Sequence, residues 1–352
     1  MSRQLRVGIN GCGRIGRALL RQYFSLPSPQ FQVVVIHDLM PLDQLHYLLC
    51  FDSVHGRLLS ELDVVSDKGL LSPHGLICYD TAPDLPQWDS YDLDLVIDVS
   101  GVFSRVNRVR DHLTAGASKV LLGSPLLDEE GQLCGQLPVY AGALRPGDIL
   151  DLRSSSVQAD KEVLTSYSCT TQALHVLLAP LLTPGSSCPE IKSLLVTELH
   201  GFTAGQSLVD QAHQDWRRGR SAPESIIPTP TQGILGVESL FPELSGKTAG
   251  YSIRVPVPNI AAVDVSLHLA ESVALEDILS LYRAAQQEDL QGILTVDQAP
   301  GVSIDYVGRT ESAVLAADLC QVVGHQLRLY AWYDNEYGYA NRIINALQDH
   351  RK

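Results

Sequence analysis

The sequence predicts an α/β protein in two parts: a doubly wound parallel sheet, followed by an α+β part whose sheet is largely antiparallel. Strand-like and helix-like stretches alternate in the first third of the chain, as they do when helices cover a parallel sheet. After residue 190, long stretches have the pattern of antiparallel strands. The length of 352 residues is too great for one ordinary core, so we expect two domains of roughly 150 to 200 residues each.

The first element is a short strand at residues 5–9, which leads through a glycine-rich turn into a helical pattern at residues 17–24. Gly11, Gly13 and Gly16 give this turn the spacing G-x-G-x-x-G. Between a strand and a helix, this spacing is typical of a turn that binds a dinucleotide. The motif therefore predicts a Rossmann domain.

The second strand supports this prediction. Residues 31–36 are mostly apolar and lead to Asp38, which follows at the distance where the ribose hydroxyls of an adenosine would lie. A carboxylate at this position would repel a 2′-phosphate, so we expect NAD rather than NADP as the cofactor.

More parallel-sheet material follows. Residues 93–99 have the pattern of a buried strand, residues 109–116 that of a helix ending on glycine, and residues 119–123 that of the next strand. Ser100 comes directly after the first of these strands, in a loop of the kind that lines a cofactor crevice. A plain turn fits the spacing of this loop equally well.

Cys169 lies near the middle of the chain, directly before an apolar helical pattern at residues 173–178. The irregular segment at residues 128–161 indicates the approach to a domain boundary. Unpaired amide N–H groups and the dipole at a helix N-terminus favour negative charge, so we expect them to lower the pKa of the thiol and to hold an oxyanion or phosphate. A small buried core thiol is the alternative that this spacing leaves open.

The second part has long strands around one amphipathic helix. Strands are predicted at residues 191–200, 251–257, 261–269 and 328–333, and the helix at residues 275–285. Residues 203–240 are rich in Gly, Pro, Ser and Thr, and they are predicted to form a long loop. Such a loop inside a compact domain is usually functional or lies at an interface.

Charge and composition exclude several classes of protein. The formal net charge is −14, and no basic run is longer than residues 217–220, which argues against non-specific binding to nucleic acid or to an anionic membrane. No apolar run approaches the roughly 18 residues that a membrane span needs. The first residues pass directly into a strand without the apolar region of a signal peptide, so we expect a cytoplasmic protein.

The seven cysteines are scattered along the chain and include no CxxC pair. An odd number without paired spacing is typical of reduced cytosolic thiols. It gives no support to a disulfide framework, and we expect no metal site.

Six motifs, in this order, together resemble the phosphorylating glyceraldehyde-3-phosphate dehydrogenase family. They lie at residues 9–17, 52–57, 168–171, 215–220, 254–259 and 332–338. The resemblance covers essentially the whole chain, and six motifs in family order are far more specific than any single one. A close relative, the erythrose-4-phosphate dehydrogenase family, shares the fold and the thiol chemistry.

The resemblance implies a reaction. Cys169 would attack the aldehyde carbon to give a thiohemiacetal, and His200 would lower the pKa of the thiol and then accept the hydroxyl proton as hydride leaves for NAD. Inorganic phosphate would attack the resulting thioester, so that glyceraldehyde 3-phosphate becomes 1,3-bisphosphoglycerate. In the relatives that oxidise erythrose 4-phosphate, water attacks instead.

The resemblance also implies two sets of binding residues. The phosphorylated aldehyde and inorganic phosphate are expected at Ser168, Thr170, Thr171, Thr203, Thr231 and Arg254. NAD is expected at Asn10, Gly11, Gly13, Arg14, Ile15, Gly16, Asp38, Ser100 and Asn335. Hydroxyls, amides and a guanidinium suit phosphate oxygens well.

The domain organisation follows from the same resemblance. It implies an NAD-binding domain at residues 1–168, completed by a C-terminal helix at residues 335–352, and a catalytic domain at residues 169–334. It further implies a homotetramer in which the loop at residues 203–240 contacts the cofactor site of a neighbour.

Several positions depart from the family pattern. Gln172 and Ala173 replace an Asn-Cys pair, and Gln232 replaces a Gly. Gly205 stands where most members have a second phosphate-binding Thr. One lost hydroxyl contact to a charged phosphate weakens binding by about 1.5 to 3 kcal/mol, so erythrose 4-phosphate or another phosphorylated aldehyde stays open as the substrate.

A non-catalytic NAD-binding regulator is the alternative from another class of function. The presence of Cys169, His200, Arg254 and Asn335 together argues against it, because a binding module needs no nucleophile.

Overall fold

The computed structural model describes residues 3–67, 69–130, 163–231 and 233–349. The chain divides into two compact units: Met1–Ser168 with Ala340–Lys352, and Cys169–Tyr339. Most of the irregular segment expected at residues 128–161 lies outside the described residues, as does the departure at Gln232.

The first unit alternates strands and helices, as predicted. Its elements are β1 (Leu5–Asn10), α1 (Arg14–Ser25), β2 (Phe31–His37), α2 (Leu42–Cys50), β3 (Phe51–Asp52), β4 (Gly56–Arg57), β5 (Asp63–Ser66), β6 (Gly69–Ser72), β7 (Gly75–Asp80), β8 (Leu95–Asp98), α3 (Val106–Thr114), β9 (Val120–Leu122) and β10 (Val163–Thr165).

The second unit contains longer strands. Its elements are α4 (Cys169–Leu182), β11 (Ile191–Gly201), β12 (Ile227–Thr229), α5 (Gly233–Leu240), β13 (Thr248–Val255), β14 (Ala261–Leu269), α6 (Leu275–Gln287), β15 (Leu294–Asp297), β16 (Ala313–Ala316), β17 (Gln321–Val323) and β18 (Gln326–Tyr333). The last helix is α7 (Tyr337–Asp349), and it belongs to the first unit from Ala340 onward.

Eight strands of the first unit form a sheet in the order β10-β9-β8-β1-β2-β7-β6-β5, and β3 and β4 pair with each other in a separate small sheet. Neighbouring strands from β10 to β7 are parallel, and β7, β6 and β5 pair antiparallel. Because β2 and β8 flank β1, the chain winds to both sides of it, which confirms the doubly wound prediction. At their carboxyl ends, Asn10 is in register with both His37 and Asp98.

Buried apolar side chains hold this sheet together. All residues of β8 and β9 are buried, and so are five of the six residues of β1. Near-continuous apolar runs are typical of parallel strands whose two faces are both covered. Asn10 and Asp98, the last residues of β1 and β8, are polar and buried, so buried polar side chains lie at the carboxyl edge of the sheet.

The strands of the second unit pair in the order β12-β13-β11-β14-β18-β16-β15, with β17 paired to β18. Two of these pairs, β11 with β13 and β15 with β16, are parallel, and the others are antiparallel. The prediction of an α+β part with a largely antiparallel sheet is therefore confirmed. Cys169 is the first residue of α4, and nearly all of this helix is buried.

The prediction of one long loop at residues 203–240 is wrong in its second half, where β12 and α5 lie. Two glycines allow α5 to approach α4 closely. A Cβ atom on Gly236 would lie 2.4 Å from Cγ2 of Thr171, and one on Gly233 would lie 2.8 Å from Cγ2 of Thr170. The helix therefore depends on packing that a local composition rich in glycine does not reveal.

Candidate active site

The glycine-rich turn between β1 and α1 has the shape of a phosphate-binding turn. Gly11 has a φ of +96°, and a Cβ atom on it would lie 2.5 Å from the backbone of Ser100. A Cβ atom on Gly16 would lie 2.1 Å from the carbonyl oxygen of Gly11. Gly13, in contrast, has open space at this position, so the N-terminus of α1 is free to receive an anion.

A cavity of about 670 Å³ lies over this turn and the carboxyl ends of the central strands. Its lining includes Asn10, Gly11, Gly13, Asp38 and Ser100. The carboxylate of Asp38 accepts hydrogen bonds from the N–H of Cys12 (2.5 Å) and of Met40 (2.9 Å). These bonds fix Asp38 at the cavity, as its expected contact with a ribose requires.

A buried network holds the floor of this cavity. The side-chain amide of Asn10 donates to Asp98 (2.5 Å), and its oxygen contacts Nδ1 of His37 (2.5 Å). Asp98 also contacts Nε2 of His112 (2.8 Å) and accepts the hydroxyl of Ser100 (3.0 Å). The side chains of Asn10 and Ser100 therefore both hydrogen-bond to Asp98, which fixes the backbone around the cavity. Asp98 was not among the site residues predicted from the sequence.

Arg14 and Ile15, which are also expected at NAD, lie in the first turn of α1. The guanidinium of Arg14 forms an ion pair with Asp52 (2.5 Å). Burial acts to raise the pKa of Asp52. Hydrogen bonds from Arg14 and from the N–H groups of His55 and Val54 outweigh burial and hold this pKa below its usual range. Arg14 is thus anchored by its side chain, and Ile15 is half-buried beside it. The turn, the cavity and Asp38 together fit an NAD molecule.

The second unit places Cys169 beside His200, as the resemblance implies. The distance from Sγ of Cys169 to Nε2 of His200 is 3.7 Å. Nδ1 of His200 donates to the carbonyl oxygen of Gly201 (2.6 Å), which leaves the lone pair of Nε2 facing the thiol. Arg254 donates to the same carbonyl oxygen (3.4 Å), so it lies next to this pair.

The surroundings shift the pKa values of the thiol and the imidazole in opposite directions. Burial raises the pKa of Cys169 to about 12, with a further contribution from the charge of Glu198, while Arg254 and Thr170 oppose the change. Burial and Arg254 lower the pKa of His200 to about 4. We expected the helix N-terminus and His200 to lower the pKa of the thiol; burial and Glu198 act in the opposite direction.

Glu198 is a residue of this site that our sequence argument missed. Only 3% of it is exposed, and one of its oxygens accepts the hydroxyl of Thr170 (2.7 Å). The hydroxyl of Tyr333 in turn donates to the oxygen of Thr170 (3.0 Å). The strand pattern could have indicated this carboxylate, because Glu198 and His200 are two residues apart and lie on one face of β11.

Two threonines expected at phosphate turn their hydroxyls into the protein. Thr170 donates to Glu198, and Thr171 donates to the carbonyl oxygen of Gly233 (3.1 Å). Both side chains are buried. Their backbone N–H groups begin α4, so the helix N-terminus rather than the two hydroxyls is the structural basis for an anion site beside Cys169.

The remaining residues expected at phosphate are more accessible. Ser168 and Thr231 are half-buried, and the oxygen of Thr231 accepts the N–H of Gly233 (3.0 Å). Thr203 is exposed, and so is Gly205, at which a Cβ atom would meet no other atom within 4 Å. The position of the missing hydroxyl is therefore open space.

Asn335 lies in a loop that Asp334 holds in place. The buried carboxylate of Asp334 accepts hydrogen bonds from Asn259, Gly308, Glu336 and Tyr337. Asn335 itself is 9% exposed, and its side-chain oxygen has no hydrogen-bond partner among the described residues. A fixed amide with a free oxygen is suited to bind NAD, which the resemblance places at Asn335.

Over the described residues, no helix combines the length and the apolar character that a membrane crossing requires. No group of three or more His, Cys, Asp or Glu side chains there is arranged to hold a metal ion.

Comparison with known proteins identifies the family. Residues 5–106 match the NAD binding domain of glyceraldehyde 3-phosphate dehydrogenase, and residues 168–335 match its C-terminal domain. The chain is 34% identical to the glyceraldehyde-3-phosphate dehydrogenase of Priestia megaterium, over 98% of this chain and 97% of that protein. It is also 34% identical to the enzyme of Geobacillus stearothermophilus, over 97% and 96% of the two chains. These matches confirm the predicted family and cofactor: the chain belongs to the glyceraldehyde 3-phosphate dehydrogenase family and is an NAD-dependent dehydrogenase.

Proposed function

We propose that the protein oxidises glyceraldehyde 3-phosphate to 1,3-bisphosphoglycerate, with NAD and inorganic phosphate as co-substrates. The observation that carries this proposal is the contact between Sγ of Cys169 and Nε2 of His200 (3.7 Å), with Nδ1 of His200 held by a carbonyl oxygen. This arrangement provides a nucleophile and a base of fixed orientation.

Cys169 and His200 divide the chemistry between them. Nε2 takes the proton of the thiol as Sγ attacks the aldehyde carbon, and the imidazolium donates it to the developing oxyanion of the thiohemiacetal. His200 then accepts the hydroxyl proton as the thioester forms. NAD, when bound, accepts the hydride of the same carbon. Phosphate attacks the thioester, and the carbon–sulfur bond breaks to release the acyl phosphate.

Two groups of residues bind the anions in this proposal. Arg254 and Thr203 hold the phosphate of the aldehyde, since a guanidinium offers several donors to one phosphate group. Ser168 and Thr231 hold inorganic phosphate at the N-terminus of α4, with Thr170 and Thr171 contributing backbone N–H groups. Gly205 supplies no hydroxyl, which weakens the first site relative to one with a threonine there.

The cofactor residues are proposed in the same way. Gly11, Gly13 and Gly16 with Arg14 and Ile15 form the turn at the pyrophosphate. Asp38 binds the ribose, and Asn335 binds the nicotinamide carboxamide. Asn10 and Ser100 shape this site through Asp98. Residues 1–168 with the C-terminal helix at residues 335–352 then serve as the NAD-binding domain, and residues 169–334 as the catalytic domain.

We further propose a homotetramer located in the cytoplasm. Four large apolar side chains between residues 203 and 231 are 68% to 88% exposed, namely Leu208, Val209, Trp216 and Ile226. Exposed apolar side chains that lie together on one segment are typical of an interface. The cysteines in the described part of the chain form no disulfides, in keeping with a reducing compartment.

A paralogue that acts on erythrose 4-phosphate is the second candidate. It is favoured by the open space at Gly205 and by the hydroxyl of Thr170, which is bonded to Glu198 instead of facing solvent. A non-catalytic NAD-binding regulator has less support, because the thiol and the imidazole lie within reach of each other.

Steady-state NADH formation with each aldehyde, with and without phosphate, tests these alternatives. We expect the higher kcat/KM with glyceraldehyde 3-phosphate, stimulation by phosphate, and loss of turnover in Cys169→Ser. A phosphate-independent rate that favours erythrose 4-phosphate would contradict the first proposal. Unchanged turnover in Cys169→Ser would contradict both enzymatic proposals.

A further inference from the structure

Three buried polar side chains lie side by side in the second sheet. Thr229 on β12 is in register with Ser252 on β13, which is in register with Glu198 on β11. Residues in register on neighbouring strands point to the same face of a sheet. We call Thr229, Ser252 and Glu198 the polar row. Arg254 and His200, two residues further along the same strands, form the next pair on this face.

The polar row has hydrogen-bonding capacity that the described residues leave unused. Thr229, Ser252 and Glu198 are 2%, 0% and 3% exposed. Oγ1 of Thr229, Oγ of Ser252 and Oε2 of Glu198 have no hydrogen-bond partner in the described part of the chain. Because atoms buried this deeply are nearly always paired, a group of three such atoms next to a nucleophile calls for a functional explanation.

One member of the polar row is connected to the nucleophile. The other carboxylate oxygen of Glu198, Oε1, accepts a hydrogen bond from the hydroxyl of Thr170 (2.7 Å). The hydroxyl oxygen of Thr170 lies 4.0 Å from Sγ of Cys169. A thioester formed on Cys169 therefore has Thr170 beside it and the carboxylate of Glu198 directly behind Thr170.

We propose that Glu198 is a positioning residue that determines which nucleophile discharges the thioester: it weakens the binding of inorganic phosphate and directs water to the acyl carbon through Thr170. The inference rests on the proposed function, because it assumes that Cys169 forms a thioester.

Electrostatics and donor geometry both act against phosphate. Phosphate bound at the N-terminus of α4 needs hydrogen-bond donors, but the hydroxyl proton of Thr170 is already given to Glu198. A phosphate oxygen in contact with Thr170 would also lie close to the buried carboxylate, and like charges repel strongly where water is excluded. We expect these two effects to weaken phosphate binding by roughly 10- to 100-fold relative to a neutral residue at position 198.

Neither effect acts against water, because water is uncharged and can donate its own proton to Thr170. As the water oxygen bonds to the acyl carbon, one of its protons passes to Oγ1 of Thr170, while the hydroxyl proton of Thr170 passes to Glu198. The carbon–sulfur bond breaks, and Cys169 leaves as a thiolate. The carboxylic acid product loses its proton to solvent, and Glu198 returns its proton through Thr170 to the thiolate. The sum is thioester plus water giving thiol, carboxylate and one proton.

The substitution Glu198→Gln tests this proposal, since it keeps the size of the side chain and removes its charge. Glu190→Gln is the matched control. This substitution removes the same charge at an exposed position next to the start of β11. Each protein is mixed with glyceraldehyde 3-phosphate and NAD over a series of phosphate concentrations. The NADH burst reports thioester formation, and ³¹P NMR distinguishes the acyl phosphate from the free acid.

We expect the unmodified enzyme and Glu190→Gln to release free acid at low phosphate. In Glu198→Gln the KM for phosphate falls by about tenfold or more and hydrolysis slows by a similar factor, so the product shifts from free acid to acyl phosphate. An intact burst with a ratio of acyl phosphate to free acid that matches the unmodified enzyme would overturn the inference. Absence of a burst in the unmodified enzyme would overturn the proposed function itself.

The unmodified enzyme also tests the inference if Glu198→Gln does not fold. Its hydrolysis and its acyl phosphate formation can be measured without any variant. Turnover that depends completely on phosphate, with no free acid formed, would overturn the role of Glu198.

Discussion

At Cys169, the local chain and the folded environment act on the thiol in opposite directions. The helix N-terminus favours a thiolate, whereas burial and Glu198 raise the pKa of Cys169 to about 12. The sequence predicts that the cysteine precedes a helix, but it does not predict which side chains surround the thiol. The pKa depends on a carboxylate 29 residues further along the chain, brought into place by the register of β11.

The first prediction concerns thiol reactivity. Replacing Glu198 with Gln removes a negative charge that raises the pKa of Cys169, so the pKa falls and the thiolate fraction at pH 7 to 9 rises. We expect alkylation by the neutral reagent iodoacetamide to be roughly tenfold faster in this pH range. The measurement is the rate of mass increase at Cys169 against pH, with Glu190→Gln as the control. A slower reaction, or an equal gain in the control, would contradict it.

The second prediction concerns Gly205. A threonine fits there without a clash, because a Cβ atom would meet no other atom within 4 Å. We expect Gly205→Thr to lower the KM for the phosphorylated aldehyde by about tenfold, since one hydroxyl bonded to a charged phosphate contributes about 1.5 to 3 kcal/mol.

Gly205→Ala is the control for this substitution, because it adds a Cβ atom without a hydroxyl. The two variants are compared in steady-state assays at fixed NAD and phosphate. Equal KM values for the two would show that the hydroxyl does not reach the aldehyde phosphate.

At the scale of elements, the contact between α4 and α5 shows where local sequence is insufficient. α5 has eight residues, fewer than the roughly 12 to 15 that a helix needs to be stable in isolation. Two of these residues are glycines, which disfavour helices. The helix exists because Gly233 and Gly236 let it lie against Thr170 and Thr171, so its formation depends on a partner far away in sequence.

The third prediction tests this contact. A methyl group at position 236 would lie 2.4 Å from Cγ2 of Thr171, which forces α5 away from α4. We expect Gly236→Ala to lower the free energy of unfolding by about 1 to 3 kcal/mol, as other overpacked sites do. Urea unfolding followed by circular dichroism measures the change. Gly205→Ala, where space is open, should change it by less than about 0.5 kcal/mol; a similar loss in both would rule out the packing argument.

At the scale of the whole molecule, the glycine-rich turn, the sequence of strands and the six motifs suffice to predict the fold class, the cofactor and the family. Each of these features can be recognised in a short stretch of sequence or in the order of strands and helices along the chain. The orientation of Thr170 and the role of Asp98 could not be predicted in this way, because each depends on a hydrogen bond between residues from different strands or helices. Glu198 is an intermediate case, since alternation along one strand places it on the same face as His200.

The fourth prediction concerns assembly. If the exposed apolar side chains between residues 203 and 231 form an interface, a charge among them should weaken the tetramer. We expect Trp216→Glu to shift the mass in sedimentation experiments from tetramer toward smaller species, because burying an unpaired carboxylate is strongly unfavourable. Val323→Glu is the control, since Val323 is 74% exposed on β17 and lies outside this segment. Identical masses for the two variants would contradict the assignment of the interface.

The carboxylate behind Cys169 also bears on how the enzyme withstands oxidising conditions. Peroxide converts a thiolate to sulfenic acid, whereas a protonated thiol reacts poorly. Because burial and Glu198 raise the pKa of Cys169, they lower its thiolate fraction at neutral pH and so act against this oxidation. Oxidation of the nucleophile is then fastest in the part of each turnover in which its sulfur is ionised.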